Sequence, residues 1–305
     1  MIDFATRSVE IVLGALIRND SASQDRNRHI RAVSMPYYPS YLGRSIGHCT
    51  SIHSMDLSIV TPVYNDPRLQ STLESILSQR GVPEVEVIVV DGGSTDETTE
   101  IIEVFDTNID VLISESDEGI YDAMNKGIRA ATGDIVGILN ADDRYQDEYV
   151  LRDVRERMLE TGAQTCYGDL VYVDDSDAIV RYWQSGAYSP RRFSWGWLPP
   201  HPTFFVKREV YEQYGLFDLD YDIAADYELI LRLLYKHGVS ATYVDRILVR
   251  MATGGTSNES ISNILKVNWE VSRAWRENHL GTGLAVAVLK PLRGLSRFFR
   301  RPNES

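Results

Sequence analysis

Carboxylates recur in this sequence where short apolar runs end. Asp91 follows Val85-Glu-Val-Ile-Val-Val90 and opens Asp91-Gly-Gly-Ser-Thr-Asp96. Asp142 and Asp143 follow Ile135-Val-Gly-Ile-Leu139, in Asn140-Ala-Asp-Asp143. Thr61-Pro-Val-Tyr-Asn65 ends an earlier run, and Glu115-Ser-Asp117-Glu-Gly119 ends another. If these runs are parallel strands of one sheet, the four segments meet on one rim, because open parallel sheets bind ligands beyond the carboxyl ends of their strands. Carboxylates gathered there repel one another unless a cation or a donor-rich ligand lies among them. Asp142 and Asp143 suit a hard cation such as Mg2+ or Mn2+, which favours oxygen donors. Taken alone, the pair also reads as an exposed turn before a helix.

Asp226 is marked by periodicity. Over 223–237, at about 100° per residue, Leu229, Ile230, Leu233 and Leu234 form an apolar stripe. Asp226 lies three and four positions before the first two and shares their side, whereas Glu228 lies on the other. A carboxylate on the buried side has its proton affinity altered by desolvation, which suits a general base. A buried Asp that pairs with Arg or caps the helix fits the same pattern.

Other features are weaker. Ser94, Thr95, Asp96 and Glu97 can cap a following helix. Asp122 and Lys126 are four apart, which fits an ion pair on a helix surface. His201, in Pro200-His-Pro-Thr-Phe-Phe205, suits either a phosphate or acceptor contact or a simple turn. Gly254 and Gly255, in Gly254-Gly-Thr-Ser257, allow close approach to a diphosphate or form a hinge. Trp195 and Trp197 lie in an aromatic stretch, 188–197, which fits stacking on a sugar or a subunit contact. No Gly-x-Gly-x-x-Gly follows a strand and no Walker A loop occurs.

The elements that must position these residues alternate. Strands are expected at 57–63, 85–90, 110–113 and 134–139, with helices at 67–79, 96–105, 120–131 and 147–160. Such alternation implies an α/β fold with a parallel sheet covered by helices. Less regular strands are expected near 165–174, 178–183, 203–206 and 240–250, with helices at 223–237 and 259–277. With 43% hydrophobic and 25% charged residues, the 305-residue chain is globular in composition. Two cysteines, Cys49 and Cys166, without a Cys/His cluster exclude a disulfide scaffold and fit a reducing compartment. The net charge is −13, with +2 in residues 1–54 and +4 in 281–305, so the body carries −19. An acidic body of that size excludes a general nucleic-acid binder.

Taken together, these segments resemble the family 2 inverting glycosyltransferases with a GT-A fold. The carrying residues are Ser58-Ile-Val-Thr-Pro-Val-Tyr-Asn65, Val89-Val-Asp-Gly-Gly-Ser-Thr-Asp96, Asp117-Glu-Gly-Ile-Tyr-Asp-Ala-Met-Asn-Lys-Gly127, Asn140-Ala-Asp-Asp143 and Ala225-Asp-Tyr-Glu228. The match spans roughly 57–257, and the stretch from Asp117 to Gly127 looks like the branch that builds bacterial surface polysaccharides. The resemblance implies a GT-A-like, Rossmann-type, mostly parallel sheet flanked by helices, with a helical C-terminal segment. It implies that Thr61, Pro62, Tyr64, Asp91, Asp117, Asn125 and Lys126 border a nucleotide-sugar, with Asp91 accepting from the base, which suits a UDP-sugar. Asp142, supported by Asp143, would hold Mn2+ or Mg2+ on the diphosphate. Asp226 would deprotonate an acceptor hydroxyl of a glycan or lipid-linked saccharide. Two positions depart from the pattern: Asn140 stands where many members have Asp, and Met124 where many have Arg.

The expected organisation is a poorly ordered extension at 1–54, in which Met55 is a candidate true start, a catalytic domain at 55–257, and a C-terminal helix and tail at 258–305. The tail mixes apolar residues with Lys290, Arg293, Arg297, Arg300 and Arg301. It reads as a segment drawn to an anionic membrane surface or as a solvated tail. A cytoplasmic enzyme, peripheral on the inner face of the cell membrane, is the expected setting. Transfer onto a polyprenyl phosphate, and a nucleotide-sugar binder without catalysis, are the alternatives.

Overall fold

The computed structural model describes residues 55–194, 196–253 and 261–283. The expectations for 1–54, Trp195, Gly254, Gly255 and the tail from 284 onward lie outside the described residues.

The first half follows the expected rhythm: β1 (Leu57–Val63), α1 (Leu69–Leu77), β2 (Val85–Asp91), α2 (Thr98–Phe105), β3 (Val111–Ser114), α3 (Ile120–Ala130) and β4 (Ile135–Ile138). β1 pairs in parallel with β2 on one side and β4 on the other, and β2 pairs in parallel with β3. Every residue of β1 and β4 is buried, as expected of strands covered on both faces. Side chains alternate between two cores. Val60, Ile88, Val90, Val136 and Ile138 face the core that holds Met124 and Ile128 of α3. Leu57, Ile59, Val87, Val89 and Ile135 face the other core, with Leu69 and Leu73 of α1.

The second half is mixed. It comprises β5 (Asp143–Tyr145), α4 (Val150–Thr161), β6 (Thr165–Val173), β7 (Ile179–Trp183), the short α5 (Pro190–Phe193), β8 (Phe205–Lys207), α6 (Arg208–Tyr214), α7 (Ala225–Ile230), β9 (Ala241–Ala252) and α8 (Ile261–Glu277). α7 continues as a π-helical stretch, Leu231–Lys236. The sheet order is β3-β2-β1-β4-β8-β6-β9-β5, with β7 beside β6. β8 pairs antiparallel with both β4 and β6, β6 pairs parallel with β9, and β5 pairs antiparallel with β9. The parallel expectation therefore holds for β1 to β4, and the remainder adds antiparallel pairings. β5 and α6 were not expected. At three residues, β5 is too short to show a period, and it exists because β9 offers it an edge.

Two close contacts fix the fold around the rim. A Cβ on Gly127 would lie 2.2 Å from Val60 Cγ1, so glycine lets α3 lie directly on β1. Asn65 adopts φ 48° at the end of β1. Its N–H donates to Ser94 Oγ and its Oδ1 accepts from the Thr95 N–H, both at 2.8 Å. The Ser94–Thr95 pair thus ties two strand ends together, while the Asp96 carboxylate receives the Thr98 N–H at the start of α2.

Gly127→Val is expected to lower stability by about 2 kcal/mol through overpacking against Val60. A urea unfolding midpoint equal to that of the wild type would show that α3 does not approach β1 so closely. Burial pushes the Cys166 thiol up to about 12, so Cys166 should resist alkylation at pH 8 until the chain unfolds, as peptide mapping would reveal.

Candidate active site

The carboxyl ends of β1 and β2 lie side by side, Val63 opposite Asp91. Tyr64, just past β1, is 64% exposed. A Cβ on Gly92 would come within 2.6 Å of Asp117 Oδ2 and 3.4 Å of Tyr64 Cδ2, so Gly92 opens the space between those side chains. Asp91 is 2% exposed. Its Oδ1 accepts the Ser94 N–H at 2.9 Å and its Oδ2 the Ser114 hydroxyl at 2.7 Å. Thr61 and Pro62 are buried within β1, and the Thr61 hydroxyl has no partner.

Two residues of α3, Asn125 and Lys126, are engaged by neighbouring loops. Asn125 is 2% exposed; its Nδ2 donates to Phe217 O and its Oδ1 accepts the Phe217 N–H, both at 2.9 Å. It clasps α3 to the Phe217 loop. The Lys126 ammonium sits 2.9 Å from Glu115 and 3.1 Å from Asp122, and donates to Ser116 O. That is the helix-surface ion pair of the simpler reading, extended to brace the loop carrying Asp117.

At the end of β4 the two carboxylates part company. The Asp142 side chain is 18% exposed and lies 3.7 Å from the Arg68 guanidinium. Burial holds Asp142 above the usual carboxylate range, with Arg68 pulling it back. Asp143 is sealed, and neither of its carboxylate oxygens makes a hydrogen bond. Burial first, and the Asp142 charge second, push its carboxyl well above the ordinary value, with the Arg68 charge and then the Ala252 backbone in partial opposition. The Asn140 Oδ1 is also buried without a partner. Among the described residues, no group of three or more His, Cys, Asp or Glu side chains encloses a metal site. The oxygen donors nonetheless fit a cation that takes most of its ligands from phosphates and water, as Mg2+ does. Asp142 is then the reachable ligand, while the Asn140 amide oxygen and the Asp143 carboxylate are both sealed as they stand. Arg68 was missed in the sequence; its only signal there is its place after Asp66-Pro67 at the end of β1.

Asp226, in the first turn of α7, is 21% exposed at its side chain. It lines a small pocket with Ile138, His201, Phe204, Tyr211, Phe217, Leu229 and Ile230. His201 Nδ1 lies 3.3 Å from Asp226 Oδ2, and the His201 charge also acts on Asp142. His201 therefore contacts the α7 carboxylate and lies within electrostatic reach of the β4 one. The Tyr121 hydroxyl, raised well above its usual value by burial and then by Asp226, donates to Ile223 O at 2.7 Å. The apolar stripe of Leu229, Ile230, Leu233 and Leu234 is buried as expected. Glu228, expected on the far side, is buried too, because α8 covers that side; it pairs with Arg232 at 2.9 Å and with Asn278 at 2.9 Å.

Trp197 is not an acceptor platform. It is 3% exposed, packs against Tyr167, Tyr188 and Phe193 with ring centroids 5.5–5.7 Å apart, and donates its indole N–H to Ser185 O at 2.8 Å. The aromatic stretch builds a core, and a buried indole has no face left for a sugar.

Because the folded-state value of Asp143 lies above its unfolded value, its favourable contribution is full below about pH 4 and is lost as pH rises through the folded value. Asp143→Asn should therefore stabilise the metal-free protein at pH 7.5 by about 1 kcal/mol, or about 2–4 °C in Tm, and give no gain near pH 3.5. Thermal unfolding at the two pH values checks this; equal shifts at both would remove the electrostatic explanation.

Residues 58–215 match the family described as Glycosyl transferase family 2. A PGL/p-HBAD biosynthesis glycosyltransferase of Mycobacterium bovis (strain BCG / Pasteur 1173P2) is 31% identical over 238 residues, which are 76% of this chain and 89% of the relative. The fold is similar to that of S. aureus TarS 1-349 in complex with UDP-GlcNAc, with a TM-score of 0.58 and 20% identity over 80% of this chain and 73% of that one. It is also similar to the mannosyltransferase PcManGT from Pyrobaculum calidifontis in complex with GDP-Man and Mn2+, with a TM-score of 0.54 and 18% identity over 76% and 68% of the two chains. The extent of the family match, which takes in the Asp91 and Asp142 strand ends, and the similarity to the mycobacterial relative together establish that this chain belongs to glycosyl transferase family 2.

Proposed function

We propose that this glycosyltransferase moves a sugar from a UDP-sugar to a hydroxyl of a glycan or lipid-linked saccharide with inversion, in the synthesis of a bacterial surface polysaccharide. The observation that carries the reading is that His201 lies 3.3 Å from Asp226 of α7 while within electrostatic reach of Asp142 at the end of β4, so both carboxylates border one region. A displacement with inversion needs the leaving group and the base on opposite sides of one pocket.

The donor's base would lie in the space between Tyr64 and Asp117, with Asp91 accepting from its ring N–H beside the Ser94 and Ser114 donors. Asp142 would hold Mn2+ or Mg2+, which when bound neutralises the departing diphosphate. Asp226 takes the proton of the acceptor hydroxyl. The acceptor oxygen forms its bond to the anomeric carbon as the bond to the diphosphate oxygen breaks, and that electron pair leaves with the nucleotide. The UDP-GlcNAc and GDP-Man bound by the two structural relatives support a nucleotide-sugar donor; the choice of uracil rests on Asp91. Among the described residues no helix is long and apolar enough to cross a membrane. The basic tail would bring the enzyme to an anionic surface and a lipid-linked acceptor. Transfer onto a polyprenyl phosphate would need no strong base, so a dispensable Asp226 would favour it.

Calorimetry with UDP, GDP, CDP and dTDP, with and without Mn2+, tests the donor site. Selective, Mn2+-dependent UDP binding that Asp142→Ala weakens at least about tenfold is expected. Binding of no nucleotide diphosphate by a folded sample would overturn the reading. Asp226→Asn should lower kcat by about 100-fold or more while leaving UDP affinity unchanged, and NMR of the product should show the inverted anomer. A retained anomer would exclude the single displacement.

A further inference from the structure

The segment that carries Asp226 is gripped from beyond the family-matched region, by α8. Glu270 is 2% exposed. Its carboxylate accepts the backbone N–H groups of Asp222 (3.2 Å), Ile223 (3.0 Å) and Ala224 (2.8 Å). These are the three residues immediately before α7, where helical bonding supplies no acceptor. The grip continues along α8 and just past it. Glu277 accepts the Tyr221 hydroxyl at 2.7 Å, the Trp275 indole donates to the Tyr227 hydroxyl at 2.8 Å, and Asn278 donates to Glu228 at 2.9 Å. Chain positions on both sides of Asp226 are thus held by one C-terminal element.

Ile223 is held at both ends of its backbone: its N–H by Glu270 and its C=O by the Tyr121 hydroxyl. A charged carboxylate buried this deeply is costly unless donors surround it, and here three backbone donors do. The result is a fixed entry into α7 that leaves the Asp226 carboxylate beside His201 at the pocket edge.

We propose that Glu270 is a positioning residue for Asp226, and that α8 belongs to the catalytic machinery through it. The proposal rests on Asp226 acting as the base. Glu270 touches neither donor nor acceptor. It fixes the backbone from which the base projects, and a displacement of about 1 Å in a reacting group costs about 100-fold in rate.

The test uses the full chain and UDP release from UDP-glucose, UDP-galactose or UDP-GlcNAc, with water as acceptor, on whichever donor the wild type turns over. Glu270→Gln keeps the size and removes the charge and one acceptor oxygen. It should lower kcat by about 100-fold while donor KM and calorimetric UDP affinity stay within twofold. In an Asp226→Asn background the same change should cost nothing further, because the base it positions is already gone. Tyr121→Phe, which releases the other end of Ile223, should lower kcat in the same pattern and serves where Glu270→Gln does not fold. A wild-type kcat in Glu270→Gln, a loss that multiplies with Asp226→Asn, or a parallel loss of UDP affinity would overturn the proposal. So would an unfolded Glu270→Gln beside a fully active Tyr121→Phe. A wild type that releases UDP from no donor would strike instead at the transferase reading, and this proposal would fall with it.

Discussion

Negative charge held in a low-dielectric interior must be met by donors or it destabilises the fold, and the acidic body of this chain obeys that constraint almost everywhere. Asp91 is met by a backbone N–H and a serine hydroxyl. Glu228 is met by Arg232 and Asn278, and Glu270 by three backbone N–H groups. Among the described residues, the exception is Asp143, whose carboxylate oxygens are sealed without a hydrogen bond next to the half-satisfied Asp142. Unmet charge is therefore concentrated at the end of β4. That is where a diphosphate-bound cation would supply what the chain lacks, and a stability cost confined to one strand end is the usual mark of a site shaped for a ligand.

Much of this was legible in the sequence because the physics there is local. β1, β2 and β4 are apolar runs long enough to read as buried strands, and their ends carry the acids. The stripe of Leu229, Ile230, Leu233 and Leu234 placed Asp226 on the pocket side. What was not legible depends on partners distant in the chain. Asn125 and Trp197 have types that suit ligand contact, yet one is taken by the Phe217 backbone and the other by a cluster of aromatic rings. Glu228 followed a two-sided helix pattern that failed because α8 buries the second side. Glu270 has no local signal at all, since its donors lie some 46–48 residues earlier and its role appears only once α8 docks.

The two halves of the proposed reaction centre are joined through α3. Its N-terminal turn follows Asp117 on the nucleotide side. Its Tyr121 holds Ile223 and its Asn125 holds Phe217, both on the segment leading to Asp226. Gly127 then presses the same helix onto β1, the strand that carries Tyr64 at its end. One rigid element thus spans from the proposed donor side to the entry of α7. The proposed donor side and the proposed base, Asp226, are linked by hydrogen bonds of 2.7–2.9 Å from a single helix. Glu270 completes that frame from the opposite side. Held between α3 and α8, Asp226 cannot follow a loose loop, which is what the proposed displacement would require of its base.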